Sequence, residues 1–359
     1  MTKHCIYAIS FAAALFLALA LSPPAKAQAA EAAPSCAPAN GYAFICGLTN
    51  VEDIVQVPGT RWLIGSSMRL GQASVPGSGA ALYLIDSDAR TARAAPIAIE
   101  PDQDGPLKGC APLDPTRPGT HGLELREGPQ GWGGGVHTLY AVNHGGREAI
   151  EVFKLDARTP TPVITWTGCI PTPANAWANS VAALPDGALA ISKYADLQGL
   201  TAGPVFRGEI TGVVYIWKPG AGFSELAGSQ LSGNNGLIAS KDGKRLWVAD
   251  QGRRQVVRFA LDGSAPPAYA KLGFNPDNLR WAPGGSILAA GQIIAPDAAL
   301  AGANAWGVAR LNPDTLAVTP MLTEPGRPEF ANGTVALQVG KTLWFGTFRG
   351  ERLAYAPLK

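Results

Sequence analysis

The feature that most constrains this chain is a weak repeat of two apolar strands joined by a tight turn. In each copy a polar residue opens an apolar strand, a turn rich in Gly, Pro or Asp follows, and a second apolar strand returns. Turns such as PDG, KDG and PGG between strands are hairpin signals. The copies start 42 to 69 residues apart. They begin at Glu52–Asp53, His121–Gly122, Asn179–Ser180, Asn235–Gly236, Asp277–Asn278 and Asn332–Gly333.

Short antiparallel strands recurring about every 40 to 60 residues are typical of β-propeller blades. The six copies therefore predict an all-β fold, a six-bladed β-propeller with a central metal-binding channel. A charged content of 16%, with 43 Gly and 30 Pro, excludes a disordered chain and a coiled coil. A jelly roll or a sandwich is the alternative. We expect residues 28–359 to form one domain, closed by pairing an N-terminal strand with the last strand near Leu353–Leu358.

The first 27 residues have the features of a secretory signal peptide. A basic start precedes the uncharged apolar run Ile6–Leu21, and Ala25–Ala27 supplies a small-residue cleavage site. We predict cleavage before Gln28, export to the periplasm or the medium, and no stable membrane anchor afterwards. An uncleaved anchor is the alternative. The mature chain would carry no net formal charge, and nothing in it points to a nucleic-acid partner.

Cysteine usage agrees with export. Cleavage would remove Cys5 and leave four cysteines, and an even number in an exported protein indicates disulfides. Three pairings are possible. We favour Cys36–Cys46, which is local, together with Cys110–Cys169, whose members flank the histidine-containing segment. The sequence has no C-x-x-C spacing, so zinc binding and thiol redox chemistry are not expected.

The polar residue that opens each repeat indicates a metal site. In a propeller the first strand of each blade lines the channel, so equivalent positions converge at one mouth. Two carboxylates and three amides without sulfur suit a hard cation such as Ca²⁺. Turn capping explains any one of these residues taken singly, but explains their recurrence less well. The predicted ligands are Glu52, Asn179, Asn235, Asp277 and Asn278.

The histidines of the mature chain lie close together in sequence. His121 precedes one strand of a predicted hairpin and His144 ends the returning strand, so antiparallel pairing brings both to the end that carries the predicted metal. His137 falls at the opposite end. His121 and His144 are candidates for a general acid/base pair; a pair of hydrogen-bonded loop histidines is the alternative. Trp132 and Trp177 flank the mouth, where they would pack between blades or against an apolar substrate.

At these residues the chain resembles the serum paraoxonase/arylesterase family, within the wider group of gluconolactonase and strictosidine synthase-like propellers. The resemblance runs from about Asn50 to Leu358. It rests on the stretches HGLEL, YAVNHGGREAIEVFKLD, ANSVAALPDG, NGLIASKDGKRLWVAD, PDNLRW and NGTVALQVGKTLWFGTF. The resemblance implies a six-bladed propeller with a catalytic Ca²⁺ on the five ligands named above. It also implies a catalytic dyad at His121 and His144.

The family pattern further implies a second, structural Ca²⁺ held by Asp53, the carbonyl of Leu123 and an aspartate. The position of that aspartate is Ser180 in this chain, which departs from the pattern. The lipid anchor that animal paraoxonases retain at their N-terminus is not carried over, because the corresponding segment here has a cleavage site.

These observations lead to a functional hypothesis. The chain is expected to be an exported Ca²⁺-dependent hydrolase of small-molecule lactones or aryl esters, in which the ion polarises the carbonyl and the histidine dyad activates water. A non-catalytic propeller that binds a partner and uses Ca²⁺ structurally is one alternative. A sugar lactonase of the gluconolactonase kind, with a more polar pocket, is another.

Overall fold

Six β-sheets follow one another along the chain, and in four of them the first strand in sequence is the innermost. The computed structural model describes residues 36–68, 81–105, 107, 109–114, 117, 119–126, 134–294 and 305–358. Blade 1 consists of β2 (Ile54–Gln56), β3 (Trp62–Gly65), β4 (Tyr83–Asp86) and β5 (Thr91–Ala94). Blade 2 consists of β6 (Ile97–Ile99), β7 (Thr120–Arg126), β8 (Val136–Asn143), β9 (Ala149–Asp156) and β10 (Val163–Pro171).

The next three blades each have four antiparallel strands. Blade 3 consists of β11 (Ala176–Ala183), β12 (Leu189–Asp196), β13 (Val213–Lys218) and β14 (Gly222–Glu225). Blade 4 consists of β15 (Asn234–Ala239), β16 (Arg245–Asp250), β17 (Gln255–Ala260) and β18 (Ala268–Lys271). Blade 5 consists of β19 (Asn275–Trp281), β20 (Ile287–Ile293), β21 (Ala305–Leu311) and β22 (Val318–Pro325).

The last blade closes the ring. It combines β23 (Gly333–Val339), β24 (Thr342–Thr347) and β25 (Arg352–Pro357) with the N-terminal strand β1 (Ala43–Cys46). β1 runs antiparallel to β25, with Phe44 opposite Ala354. This is the closure that the sequence predicts, and the ring of six sheets confirms the propeller rather than the jelly roll or sandwich.

Apolar residues lie between the blades rather than on the axis. Each of six buried clusters combines strands of two neighbouring blades. Between blades 1 and 2, for example, Trp62 and Leu84 pack in the same cluster as Leu139, Phe153 and Trp166. A blade is therefore buried on both faces, which explains why its strands are apolar runs without strict alternation. The axis is left to polar side chains.

Both predicted cysteine pairs are bonded. Cys36–Cys46 ties the start of the described chain to β1, and Cys110–Cys169 ties the segment before β7 to β10. Two disulfides indicate an oxidising compartment, as expected for an exported protein. In the part of the chain that the structure describes, no helix is long and apolar enough to cross a membrane. The predicted signal peptide and the boundary at residue 28 lie outside the described residues.

A single-turn helix, α1 (Gly203–Phe206), lies in the connection between β12 and β13. Its buried residues Val205 and Phe206 pack with Tyr194 and Ile294, and Trp177 packs against the same cluster. This connection covers one end of the channel, and the candidate site lies beneath it.

Candidate functional site

The inner strands are irregular where the sequence predicts site residues. A β-bulge re-aims a side chain that would otherwise follow the regular alternation of the strand. In five of the inner strands the antiparallel register shifts beside the polar residue that opens the repeat. The shifts fall between Thr120 and Leu123, around Ala178 and Ser180, between Asn234 and Leu237, between Pro276 and Leu279, and between Gly333 and Val335.

Glycines allow neighbouring inner strands to meet closely at this level. A methyl group on Gly122 would lie 2.4 Å from the carbonyl oxygen of Asn179. A methyl group on Gly236 would lie 2.5 Å from the carbonyl oxygen of Asp277. Both distances are too short for a methyl group, so the packing of the inner strands requires glycine at positions 122 and 236.

The bulges and the α1 connection enclose a cavity of about 200 Å³. Its polar surface comes from the channel and its apolar surface from Met68, Trp177 and the loops of the mouth. The cavity contains four of the five predicted Ca²⁺ ligands together with His121. The full lining is Glu52, Met68, His121, Trp177, Asn179, Tyr194, Leu200, Thr201, Ala202, Asn235, Gln251, Asp277, Gln292 and Phe348.

Four of the five predicted ligands present a buried oxygen that accepts no hydrogen bond. These atoms are Glu52 Oε2, Asn179 Oδ1, Asn235 Oδ1 and Asn278 Oδ1. All four residues are less than 5% exposed. A buried acceptor without a donor destabilises the fold by about 1–3 kcal/mol. Four such oxygens from four blades therefore fit a site for a hard cation.

The fifth predicted ligand, Asp277, adds charge to this group. Its Oδ2 accepts a hydrogen bond of 2.7 Å from Gln292 Nε2. Burial raises the pKa of Asp277 to about 7, and burial followed by repulsion from Asp277 raises the pKa of Glu52 well above its usual value. Two buried carboxylates that disfavour each other's charge would both be stabilised by a divalent cation.

The donor set is one of oxygens from carboxylates and amides. Among the described residues, no three His, Cys, Asp or Glu side chains form a group suited to a metal ion. The shell therefore depends on the three asparagines as well as on Glu52 and Asp277. That composition suits Ca²⁺, which accepts amide and carboxylate oxygens in flexible geometry, better than zinc.

The two predicted histidines are hydrogen-bonded to each other. His121 Nδ1 lies 3.0 Å from His144 Nε2, and His144 Nδ1 lies 2.7 Å from Glu148 Oε2. A carboxylate only accepts, so His144 Nδ1 carries a proton and its Nε2 accepts from His121 Nδ1–H. The lone pair of His121 therefore lies on Nε2, 3.5 Å from Asn179 Nδ2 and 3.7 Å from Glu52 Oε2.

His121 is suited to act as a base. Burial, together with repulsion from His144, lowers the pKa of His121 well below its usual value. The imidazole is therefore neutral at neutral pH, and its approach to Glu52 is a polar contact rather than an ion pair. A neutral imidazole can take a proton on Nε2.

Glu148 is not among the residues that the sequence predicts for the site. It follows His144 by four residues, across the tight turn between β8 and β9, and this H-x-x-x-E spacing is the signal that could have found it. Trp177 stacks face to face on His144, with ring centroids 4.0 Å apart and planes inclined by 13°. His137 pairs with Leu155 near the far end of β8, as predicted. Trp132 lies outside the described residues.

The residues predicted for a second Ca²⁺ do not fit a metal ion. Arg280 forms an ion pair with Asp53 and donates a hydrogen bond of 3.0 Å to the carbonyl oxygen of Leu123. Ser180 donates its backbone N–H to Ser192 and brings no charge. The guanidinium already contacts both oxygens that the ion would need, so the residues present do not suit the second ion that the resemblance implies.

The fold and this centre define a class: six-bladed propellers with an oxygen-rich polar site at one mouth of the channel. No family model matches the chain, and no curated protein matches its sequence. Among solved structures, a luciferin-regenerating enzyme is similar at 13% identity, covering 87% of this chain and 93% of that chain, with a TM-score of 0.54. A protein of unknown function from Bacteroides thetaiotaomicron is similar at 11% identity, covering 86% and 70%, with a TM-score of 0.51.

A candidate gluconolactonase covers 90% of this chain and 95% of its own, at 18% identity and a TM-score of 0.49. At such identities the likeness concerns the fold alone. The two neighbours with TM-scores above 0.5 agree with the propeller fold, and the chemistry has to be argued from the residues of this chain.

Proposed function

We propose that this protein is a Ca²⁺-dependent hydrolase of lactones or aryl esters that acts after export. One observation carries the proposal: Glu52, Asn179 and Asn235, which present unpartnered oxygens, line the same small cavity as His121, whose Nε2 carries no proton. A site that binds an ion only for stability has no need of a neutral histidine beside the ligands.

The residues that would hold Ca²⁺ are Glu52, Asn179, Asn235, Asp277 and Asn278. When bound, the ion supplies a positive charge that polarises the ester carbonyl and stabilises the oxyanion. His121 Nε2 would take a proton from the attacking water and return it to the leaving oxygen. Proton uptake would convert His121 into an imidazolium, which His144 would stabilise by accepting the hydrogen bond from His121 Nδ1. Glu148 would stabilise the positive charge further through its hydrogen bond with His144 Nδ1.

The cavity wall supports a lipophilic substrate. Trp177, Leu200 and Phe348 line it, and the exposed lining is mainly apolar. The volume of about 200 Å³ suits a small lactone ring or an aryl acyl group rather than a polymer.

The test is hydrolysis of an aryl acetate and a panel of lactones, with Ca²⁺ and after chelation. Activity should be lost with the ion and return when it is restored. His121→Gln should lower kcat by about 10²–10⁴ while Ca²⁺ affinity stays nearly unchanged. Asp277→Ala should lose both, because it removes one of two charges from the shell.

His137→Gln is the matched control, since His137 lies on the same hairpin away from the cavity. It should retain wild-type turnover. Full activity in chelated, dialysed protein would refute the metal-dependent mechanism. Wild-type turnover in His121→Gln would refute the histidine base. If no ester or lactone is hydrolysed, the non-catalytic binding propeller becomes the better hypothesis.

A further inference from the structure

We propose that the guanidinium of Arg280 takes the place of a structural metal ion in the channel. It links three blades and prevents a second divalent cation from binding. The side chain of Arg280 is 7% exposed and that of Asp53 is fully buried. Arg280 belongs to blade 5, whereas its partners belong to blades 1 and 2.

Each nitrogen of the guanidinium donates to an acceptor from these blades. Its Nε donates to the carbonyl oxygen of Ile54 at 2.9 Å, and its Nη1 donates to that of Leu279 at 2.9 Å. Its Nη2 contacts both Leu123 O, at 3.0 Å, and Asp53 Oδ2. A cluster of carbonyl oxygens around one carboxylate is the environment that a metal ion would otherwise occupy.

Both oxygens of the Asp53 carboxylate accept hydrogen bonds as well. Its Oδ1 accepts from the backbone N–H of Ile54 at 2.8 Å, and its Oδ2 accepts from that of Leu123 at 2.7 Å in addition to Arg280. Among the described residues, neither Asp53 nor Arg280 has a buried polar atom without a partner. The predicted Ca²⁺ ligands differ, because four of their oxygens have none.

Charge leads to the same conclusion. One guanidinium neutralises the Asp53 carboxylate, and the uncharged Ser180 adds no further negative charge. The other carboxyl that interacts with this pair, that of Glu124, accepts the backbone N–H of Ala183 instead. A divalent cation placed beside Arg280 would leave an excess of positive charge in a buried site, which is strongly unfavourable. The chain is therefore expected to bind one Ca²⁺ at most in this channel, and the link between blades 1, 2 and 5 does not depend on a metal.

The first test counts bound Ca²⁺ by equilibrium dialysis. Wild type should bind no more than one ion per chain, and Asp277→Ala should bind none. Two ions per chain in wild type, or one remaining in Asp277→Ala, would overturn the proposal. If wild type binds none, the hydrolase proposal loses its metal, whereas the absence of an ion at Asp53 still supports the role of Arg280.

The second test is a thermal-unfolding cycle of Arg280→Met, Asp53→Asn and the double variant, measured in chelator. Arg280→Met should melt about 10 °C below wild type, because it leaves a buried carboxylate unpaired. The double variant should lose clearly less than the sum of the single losses. The exposed pair Arg245–Asp314, 37% and 72% exposed, is the control, and its cycle should show no coupling.

If Arg280→Met does not fold, Arg280→Lys replaces it, since a lysine keeps the charge but makes fewer of the hydrogen bonds. It should melt below wild type, and Asp53→Asn should lower the melting temperature further. Additive losses in either cycle, or an Arg280→Met protein that melts with wild type, would show that the guanidinium does not act as the cation of this site.

Discussion

Glu148 determines which nitrogens of His144 and His121 carry protons. Its 2.7 Å hydrogen bond to His144 Nδ1 assigns the proton positions from Glu148 through His144 to His121, so that the lone pair emerges on the cavity side. The stacked Trp177 restricts rotation of the same imidazole. Positions of this kind act through another residue rather than on the substrate.

Glu148→Gln should lower kcat by about 10- to 100-fold, the usual cost of losing a carboxylate that orients a functional histidine. Loss of its negative charge also destabilises the imidazolium, so the acid limb of the pH–rate profile should move to lower pH. Glu209→Gln, at an exposed glutamate paired with Arg207, is the control. A kcat loss without any displacement of the profile would indicate a structural role instead.

The carboxylates of the predicted metal shell make the stability of the metal-free protein depend on pH. Burial raises the pKa of Asp277 from 3.8 to about 7, and raises that of Glu52 too, so above pH 6.5 the folded protein binds more protons than the unfolded chain. Stability therefore falls as pH rises. The contribution of His121, whose pKa is lowered, has the opposite sign but fades above pH 6.5, where at most half of the unfolded imidazole is protonated.

In chelator, the melting temperature should thus be lower at pH 8 than at pH 6.5, and saturating Ca²⁺ should remove the difference because it binds the ionised carboxylates. Differential scanning calorimetry measures the melting temperatures. In Asp277→Asn the melting temperature should depend less on pH than in wild type. A melting temperature that rises over this interval in chelator would contradict the charge assignment.

At the scale of the strand, the site depends on bulges and on close contact between inner strands. The bulge at Asn235 and Gly236 turns the amide toward the channel, while the missing side chain of Gly236 lets β15 approach β19. Backbone irregularity and side-chain chemistry therefore occur at the same residues.

Gly236→Ala should push β15 away from Asp277, because the added methyl would lie 2.5 Å from its carbonyl oxygen. We expect Ca²⁺ affinity to fall by about tenfold or more, along with the melting temperature. Gly273→Ala is the matched control, since a methyl group there contacts nothing within 4 Å. Isothermal titration calorimetry measures the Ca²⁺ affinity of both variants. Equal affinities would show that Ca²⁺ binding tolerates a larger distance between β15 and β19.

At the scale of the whole molecule, the ring is held by six cores between blades, by the pairing of β1 with β25, and by two disulfides. The disulfides close loops of different size. Cys110–Cys169 spans 59 residues, whereas Cys36–Cys46 spans 10. Larger loops restrict the unfolded chain more strongly in the chain-entropy model.

Replacing Cys110 and Cys169 together by serine should therefore destabilise the protein by about 4 kcal/mol, and replacing Cys36 and Cys46 by about 3 kcal/mol. Denaturant unfolding of the two double variants measures the difference. A greater loss at Cys36–Cys46 would show that closure through β1, rather than loop entropy, dominates the stability of the ring.

The sequence by itself determined the blade count, the inner position of each repeat and the end of the hairpin that carries His121 and His144. These follow from local rules, since turns define hairpins and antiparallel pairing defines which residues share an end. The two disulfides also followed from cysteine positions and compartment. The predicted Ca²⁺ ligands likewise came from the recurrence of polar residues at equivalent places.

Only the tertiary structure decided what fills the channel. In the sequence, nothing distinguishes Arg280 from other polar residues on the inner strands. In the structure it contacts Asp53 and Leu123, which are 227 and 157 residues away in sequence. The bulges that aim Asn179 and Asn235, and the orientation of Glu148 toward His144, are equally invisible in the pattern. Such contacts depend on the twist and spacing of whole blades, because side chains far apart in sequence meet only after the ring has closed.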